Sequence, residues 1–222
     1  MRFLLLCLCL LVPASAAVPP LLREALDGFR SDPPPGWSYT QKTAGDGRST
    51  VERCDAGKPE FDRWSLVEKD GRAPTAAELR DYTEARSRRS RTGTAPKITD
   101  QLDLDLVETV ADTPERATYR TRLRRGESRD HTAPFLRATV VVHKPTRAIE
   151  SIELGNTEPF SPTLGVKIAE MRTLLTYRLP AADTPALPEK VSSRVRGAAF
   201  WFKSLDADLT VEFSDYARPA KR

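Results

Sequence analysis

Alternating apolar and polar residues run through the second half of the chain and favour an extended, sheet-forming structure. A period of two places the apolar side chains on one face of each strand. Eighteen prolines, spread over many short segments, favour frequent turns over long helices. The alternating positions are Leu102, Leu104, Leu106, Tyr119, Thr121, Leu123, Leu136, Ala138, Val140, Val142, Ile152 and Leu154.

Two further stretches extend this pattern towards the end of the chain. Residues 165–179 fit a helix or a strand, and strand is favoured because apolar side chains share one face at period two before Pro180. Those side chains belong to Ala169, Met171, Leu175, Tyr177 and Leu179. Residues 194–216 predict a hairpin that turns at 205–208. One arm carries Phe200, Trp201 and Phe202, and the other carries Leu209, Val211 and Phe213.

The first part of the chain predicts a helix followed by three strands. Residues 21–30 place apolar side chains at helical spacing, and the three prolines at 33–35 end that helix. Its apolar face comprises Leu21, Leu22, Ala25, Leu26 and Phe29. Trp37 and Tyr39 then alternate with polar neighbours in the first arm of a hairpin. A third strand carries Trp64 and Leu66 on one face and ends at an Asp-Gly turn.

A capping pattern predicts a second helix after the third strand. Thr75 precedes Glu78 by three residues, the spacing at which hydroxyl and carboxylate each satisfy a free amide at a helix start. The helix over 76–91 has only Leu79 and Tyr82 as large apolar anchors, so most of it faces solvent.

Together these elements predict an α+β fold. The expected architecture is a long antiparallel meander of about nine or ten strands, curled into an unclosed barrel, with two helices covering its concave face. A twisted sheet of this length must curl, close or be covered on its inner face.

The first sixteen residues have the composition of an export signal. Arg2 precedes an apolar run over 3–12 that is too short to span a bilayer of about 30 Å, and small residues at 14–16 offer a cleavage site. We therefore expect an exported protein, periplasmic or extracellular, that forms one soluble domain over 17–222. Cleavage removes two of the three cysteines and leaves Cys54 without an internal disulfide partner.

The sequence carries no signature of catalysis, of a cofactor or of nucleic-acid binding. A net charge of +4 is too small to predict nucleic acid as a partner. Only His131 and His143 are available as histidine ligands, and a metal site needs three or four ligands in all. Cys54 has no flanking catalytic signature, and no G-x-S-x-G elbow occurs. We predict a protein that is not an enzyme, although a triad built from distant residues stays an alternative.

Two charged groups have both a functional and a structural interpretation. Asp100, Asp103, Asp105 and Glu108 lack the glycine and terminal glutamate of a calcium loop, which favours the solvent face of a strand. A cluster of arginines on the second helix has two interpretations, contact with an anionic membrane surface or compensation of the helix dipole. We favour the second interpretation, in which Glu84 also pairs with Arg88. The cluster comprises Arg86, Arg88, Arg89 and Arg91.

The chain resembles the LolA/LolB-like superfamily of exported lipoprotein-binding proteins over most of residues 20–216. The shared features are the leading helix at 21–29, the strand stretch WSYTQ at 37–41, the aromatic strand RWSL at 63–66 near an Asp-Gly turn, and the run of strands to the end. The resemblance implies an unclosed antiparallel barrel whose hydrophobic concavity, lidded by helices, holds acyl chains. No binding residue is carried over, because residues 75–96 depart from the family pattern.

These observations lead to one functional hypothesis and two alternatives. We expect a monomeric binding protein that shelters a lipid, an acyl chain or a lipoprotein against a curved sheet. An envelope interaction or sensor domain with a filled core and no ligand is the first alternative, and a hydrolase with an unrecognised site is the second. The candidate cavity-lining residues are Trp37, Tyr39, Trp64, Leu66, Val140, Met171, Tyr177 and Trp201.

Overall fold

The computed structural model describes residues 18–89, 98–124, 132–200 and 202–218. Within these ranges the chain forms three α-helices and eleven strands that pair antiparallel in one sheet. The helices are α1 (Pro20–Asp27), α2 (Ala76–Arg89) and α3 (Ile98–Gln101). The strands are β1 (Ser38–Gly45), β2 (Arg48–Cys54), β3 (Trp64–Lys69), β4 (Glu108–Asp112), β5 (Arg116–Arg122), β6 (Leu136–His143), β7 (Ala148–Asn156), β8 (Val166–Arg178), β9 (Leu187–Ala199), β10 (Lys203–Ser204) and β11 (Ala207–Ala217).

The sheet confirms the predicted fold class. Its strand order is β3-β2-β1-β11-β9-β8-β7-β6-β5-β4, and β10 pairs with β9 outside this path. The two edge strands, β3 and β4, do not pair with each other, so the barrel is unclosed. They follow one another in the chain, so the connection that contains α2 and α3 runs from one edge of the sheet to the other.

The main core lies between α1 and strands β5 to β7. Leu22 and Ala25 of α1 are buried against Val140 of β6 and Ile152 of β7, which face each other in register. The apolar spacing of residues 21–29 therefore did predict both the helix and the face that it buries. We call the face of the sheet that carries Val140 and Ile152 the concave face.

The predicted capping box fastens the start of α2 to the edge of the sheet. The Thr75 amide donates to Glu78 Oε2 at 2.8 Å, and the Glu78 amide donates to Thr75 Oγ1 at 3.3 Å. Glu78 also forms ion pairs with Lys69 at 3.1 Å and Arg72 at 2.8 Å. The Arg72 hydrogen bond, the Thr75 amide and Lys69 hold the pKa of the Glu78 carboxyl well below its usual range.

A change at Glu78 is therefore expected to have a pH-dependent effect. A carboxyl whose pKa is lowered by folding stabilises the folded state above its unfolded pKa of about 4.3, and this contribution is lost as pH falls through the folded pKa. Glu78→Gln should unfold at a lower temperature than the unsubstituted protein at pH 7, and the difference should shrink steadily below about pH 4. Thermal unfolding followed by circular dichroism across this range tests it. An equal difference at pH 7 and pH 3 would contradict it.

The strand predicted through Leu102, Leu104 and Leu106 is wrong. Residues 98–101 form α3 and residues 104–106 form a 3-10 turn, in which Asp103 caps the start by accepting the Asp105 amide at 3.2 Å. Leu102 is fully buried and Leu104 packs on the main core, whereas Leu106 is exposed. Aspartate at a cap stabilises a helical turn as readily as it occupies a solvent face, so alternation with acids did not distinguish the two.

The aromatic arm predicted for the last hairpin is also wrong. β9 ends at Ala199, and Lys203 of β10 folds back to pair with Ala199 itself. Phe200 and Phe202 therefore lie in the turn rather than in a strand, and both are exposed. The other arm was predicted correctly, because Leu209, Val211 and Phe213 all lie in β11.

Candidate ligand-binding site

An aromatic cluster forms where β1, β2 and β3 begin or end at one edge of the concave face. Tyr39 of β1 and Trp64 of β3 both face Cys54 of β2 in register, and their rings meet edge to face at 5.5 Å. Tyr39 also contacts Tyr216 at 5.7 Å and Phe213 at 6.0 Å, both from β11. Edge and offset contacts of this kind stabilise aromatic groups beyond the area that they bury.

Helix α2 covers this aromatic cluster with an arginine. The Arg86 guanidinium lies 3.7 Å from the centre of the Trp64 ring, a cation–π contact. Beneath it Leu66 and Cys54 are buried. Burial raises the pKa of the Cys54 thiol, so it stays protonated and is a poor nucleophile at neutral pH.

The predicted lining residues lie in different parts of the molecule. Tyr39 and Trp64 lie together under Arg86 of α2, Leu66 is buried on the same strand as Trp64, and Trp37 contacts Tyr216 at 6.3 Å. Val140 lies fully buried in the main core.

Tyr177 and Met171 lie apart from that cluster. Tyr177 belongs to the main core, where its ring meets Phe29, just after α1, at 5.1 Å, and its buried hydroxyl has no hydrogen-bond partner among the described residues. Met171 is half-buried beside a smaller core cluster of Leu136, Phe160 and Ile168. Trp201 lies outside the described residues.

Between the two covered ends, the concave face carries a row of partly exposed aliphatic side chains. Leu175 of β8 faces Ile152 of the main core, Val191 of β9 faces Leu175, and Val211 of β11 faces Val191. All three are only partly buried. We call Leu175, Val191 and Val211 the open row. Val191 was missed by the sequence analysis because serines and arginines follow it and break the alternation.

Polar side chains flank the open row on the same face. The Thr173 and Ser193 hydroxyls, two register pairs along from Leu175 and Val191, lie 3.1 Å apart. On the side of the aromatic cluster, Glu52 is only 7% exposed and accepts the Gln41 side-chain amide at 3.3 Å. The part of the concave face between α1 and α2 is therefore aliphatic in the middle and carries hydrogen-bonding groups beside the open row.

Four clefts on the described surface lie away from the predicted lining residues. Their volumes are about 450, 380, 470 and 510 Å³, and all are open to solvent. The first lies between the end of α1 and Thr99, and the third and fourth lie around Asp105 and Arg122. The seven predicted lining residues that the structure describes border none of the four.

The candidate charged residues have structural partners where the structure describes them. Arg88 pairs with Glu84 at the predicted i, i+4 spacing, and Arg86 stacks on Trp64. The Arg89 side chain and Arg91 lie outside the described residues, as does His131. The His143 ring nitrogen Nδ1 lies 2.8 Å from Thr146 Oγ1.

The acidic residues that the sequence analysis singled out cap a turn or face solvent. Asp103 serves as a cap, and Asp105 and Glu108 are exposed. In the described part of the chain, no group of three or more histidine, cysteine or carboxylate side chains is arranged to hold a metal ion. Among the helices of that part, none is long and apolar enough to cross a bilayer.

No protein-family model, curated protein or solved structure matches this chain. The resemblance to the LolA/LolB-like superfamily therefore stays a prediction. The structure establishes an antiparallel sheet that is not closed into a barrel, with helices on its concave face.

Proposed function

We propose that this is an exported binding protein whose open row holds the apolar part of a ligand, such as an acyl chain or a lipidated partner. The observation that carries the proposal is the partial exposure of Leu175, Val191 and Val211, which are aligned in register on three neighbouring strands. Fully burying an aliphatic side chain of this size contributes about 1.5–3 kcal/mol. A linear hydrocarbon lying across the strands would cover all three at once.

The two helices on either side support this arrangement. α1 closes the face over β6 and β7, and Arg86 of α2 closes it over Trp64. Leu79, an apolar residue of α2, stays 42% exposed and adds apolar surface beside the face. The polar pairs Thr173–Ser193 and Gln41–Glu52 would accept the polar end of an amphipathic ligand.

A fluorescent fatty acid, dansylaminoundecanoic acid, provides the test. The variant Val191→Thr/Val211→Thr keeps the shape of both side chains and places two hydroxyls against the hydrocarbon, so the dissociation constant should rise about 10-fold or more. Val67→Thr, the same change at an exposed valine of β3, should leave it unchanged. Equal binding by all three proteins, or no binding by the unsubstituted one, would contradict the proposal.

The packing of the main core favours one alternative function. Because Val140, Ile152 and Leu22 are fully buried against each other, the sheet under α1 leaves no room for a guest. An interaction or sensor domain of the cell envelope, with a filled core and no ligand, would have this property. It predicts that the fatty-acid probe does not bind and that organic extracts of the protein contain no lipid.

Export is the second part of the proposal and rests on the first sixteen residues, which lie outside the described ranges. The N-terminal sequence of the protein recovered from its producing cells should begin at Ala17. Retention of residues 1–16 would contradict export by a cleaved signal.

A further inference from the structure

Two loops at one end of the strands bring three large apolar side chains into solvent together. Leu164, in the loop before β8, is 97% exposed. Phe200 and Phe202, in the turn between β9 and β10, are 61% and 87% exposed. We call these three residues the apolar tip. Grouped exposed apolar residues usually mark a surface that contacts a partner or a membrane.

The backbone fixes the apolar tip in place. The Phe200 amide donates to the Gly165 carbonyl at 2.6 Å, which joins the two loops. The Phe200 ring lies over Gly165, where a Cβ atom would come within 2.9 Å of it, so the loop needs a glycine there. Phe200 itself has a φ of 50°, a left-handed conformation that is unfavourable for a bulky residue. The fold thus maintains backbone strain at the residue that joins the tip together.

The charged residues nearest in sequence to the apolar tip are lysines. Lys167 and Lys203 follow its two loops and are exposed. Residues 160–168 and 198–204 contain no acidic residue. Acids begin two residues outside these ranges. Glu158 and Glu170 are exposed, and Asp206 accepts the Gly197 amide with its carboxylate at 3.1 Å.

We propose that the apolar tip inserts into the interface of a membrane that contains anionic lipid. Leucine and phenylalanine flanked by lysine suit this interface, because the apolar side chains enter the acyl boundary while the ammonium groups meet lipid phosphates. A stable protein partner would need about 800 Å² of contact on each side, far more than three side chains supply. A membrane needs no matching surface of that size.

The apolar tip is distinct from the arginines of α2. β8 runs from Val166 beside the tip to Tyr177 beside Phe29, and thirteen strand residues span about 40 Å. Tyr39 and Trp64, under Arg86, lie at the end of the sheet remote from the β1–β2 turn and the tip. One flat membrane therefore meets either the tip or the arginine end of α2. Contact at the tip does not require a ligand on the open row.

Vesicle co-sedimentation tests this inference, with vesicles of phosphatidylcholine alone and of phosphatidylcholine with phosphatidylglycerol at 4:1. Leu164→Ser/Phe202→Ser should lower partitioning onto the mixed vesicles by at least about 10-fold. Phe61→Ser, at another exposed phenylalanine that is 85% accessible, should not lower it. Lys203→Glu should weaken binding to the mixed vesicles more than to phosphatidylcholine alone.

The remaining outcomes separate this inference from its competitors. Equal partitioning of the double variant and the unsubstituted protein would overturn it, and so would a loss caused by Arg86→Ala/Arg88→Ala in place of the tip variant. An absence of vesicle binding, with tip-dependent self-association in solution, would assign the tip to a protein contact and also overturn it. Fatty-acid probe binding, measured on the same variants, should be unchanged, so failure here and failure of the proposed function are distinguishable.

Discussion

Replacing Leu22 with alanine is expected to lower the free energy of unfolding by about 2–5 kcal/mol. Leu22 is 0% exposed and is the side chain of α1 that lies deepest in the main core. The helix has only eight residues, too few to be stable in isolation, so its packing on β6 and β7 holds it in place. Removing the side chain leaves a cavity that the paired strands on the other side cannot collapse to fill.

Urea unfolding at pH 7 measures this change. Leu164→Ala is the matched control, because the same atoms are removed from a leucine that is almost fully exposed. It should change the free energy of unfolding by less than about 0.5 kcal/mol. A Leu22→Ala variant that also stays within about 0.5 kcal/mol would show that α1 is not packed on the sheet as described.

Replacing Gly197 with alanine is expected to destabilise the protein by about 1–3 kcal/mol. Gly197 lies in β9 opposite Ile168 of β8, where the register shifts. A Cβ atom at this position would come within 2.5 Å of the Lys167 carbonyl oxygen. That oxygen belongs to the backbone of the neighbouring strand, so relief requires the two strands to separate.

Gly155 provides the comparison within the same sheet. It lies in β7, and a Cβ there would meet the Met171 carbonyl oxygen at 3.5 Å, an ordinary contact. Gly155→Ala should be neutral or should stabilise by up to about 1 kcal/mol, since alanine restricts the unfolded chain. Chemical unfolding of the two variants side by side tests the strand spacing. Similar stabilities would show that β8 and β9 are further apart than the structure places them.

Local patterns predicted those elements in which one physical requirement dominates. Strict alternation over Leu136–His143 fixed β6, because every second side chain there is buried. The predicted first hairpin turns at Asp46 and Gly47, where both residues take positive φ angles of 49° and 74°. Thr75 and Glu78 fixed the start of α2 through the reciprocal bonds of a capping box.

Other features depended on contacts distant in sequence. Ala169 was placed on the face of Met171, but the register shifts between Ile168 and Glu170, so Ala169 is exposed and Ile168 is buried. Asn156 stabilises this bulge by donating to the Ala169 carbonyl and accepting the Met171 amide. The alternation of apolar and polar residues within β8 does not show where such a bulge occurs.

The candidate site was predicted only in part for the same reason. Tyr39 and Trp64 were expected together and do meet, because both pair with Cys54, and Leu66 is buried two residues further along β3. The open row joins Leu175, Val191 and Val211 from β8, β9 and β11, and the sequence did not show which positions would stay uncovered. Which side chains of the sheet are covered depends on where α1 and α2 lie. The placement of these helices follows from the order of strands in the whole sheet.

Mass spectrometry of organic extracts from protein purified without detergent tests the central claim most directly. We predict that a compound with an acyl chain co-purifies with the protein at close to one molecule per chain, and that Val191→Thr/Val211→Thr largely loses it. Repeated extracts without any lipid, together with no binding of the fatty-acid probe, would contradict the claim that the concave face holds an apolar ligand.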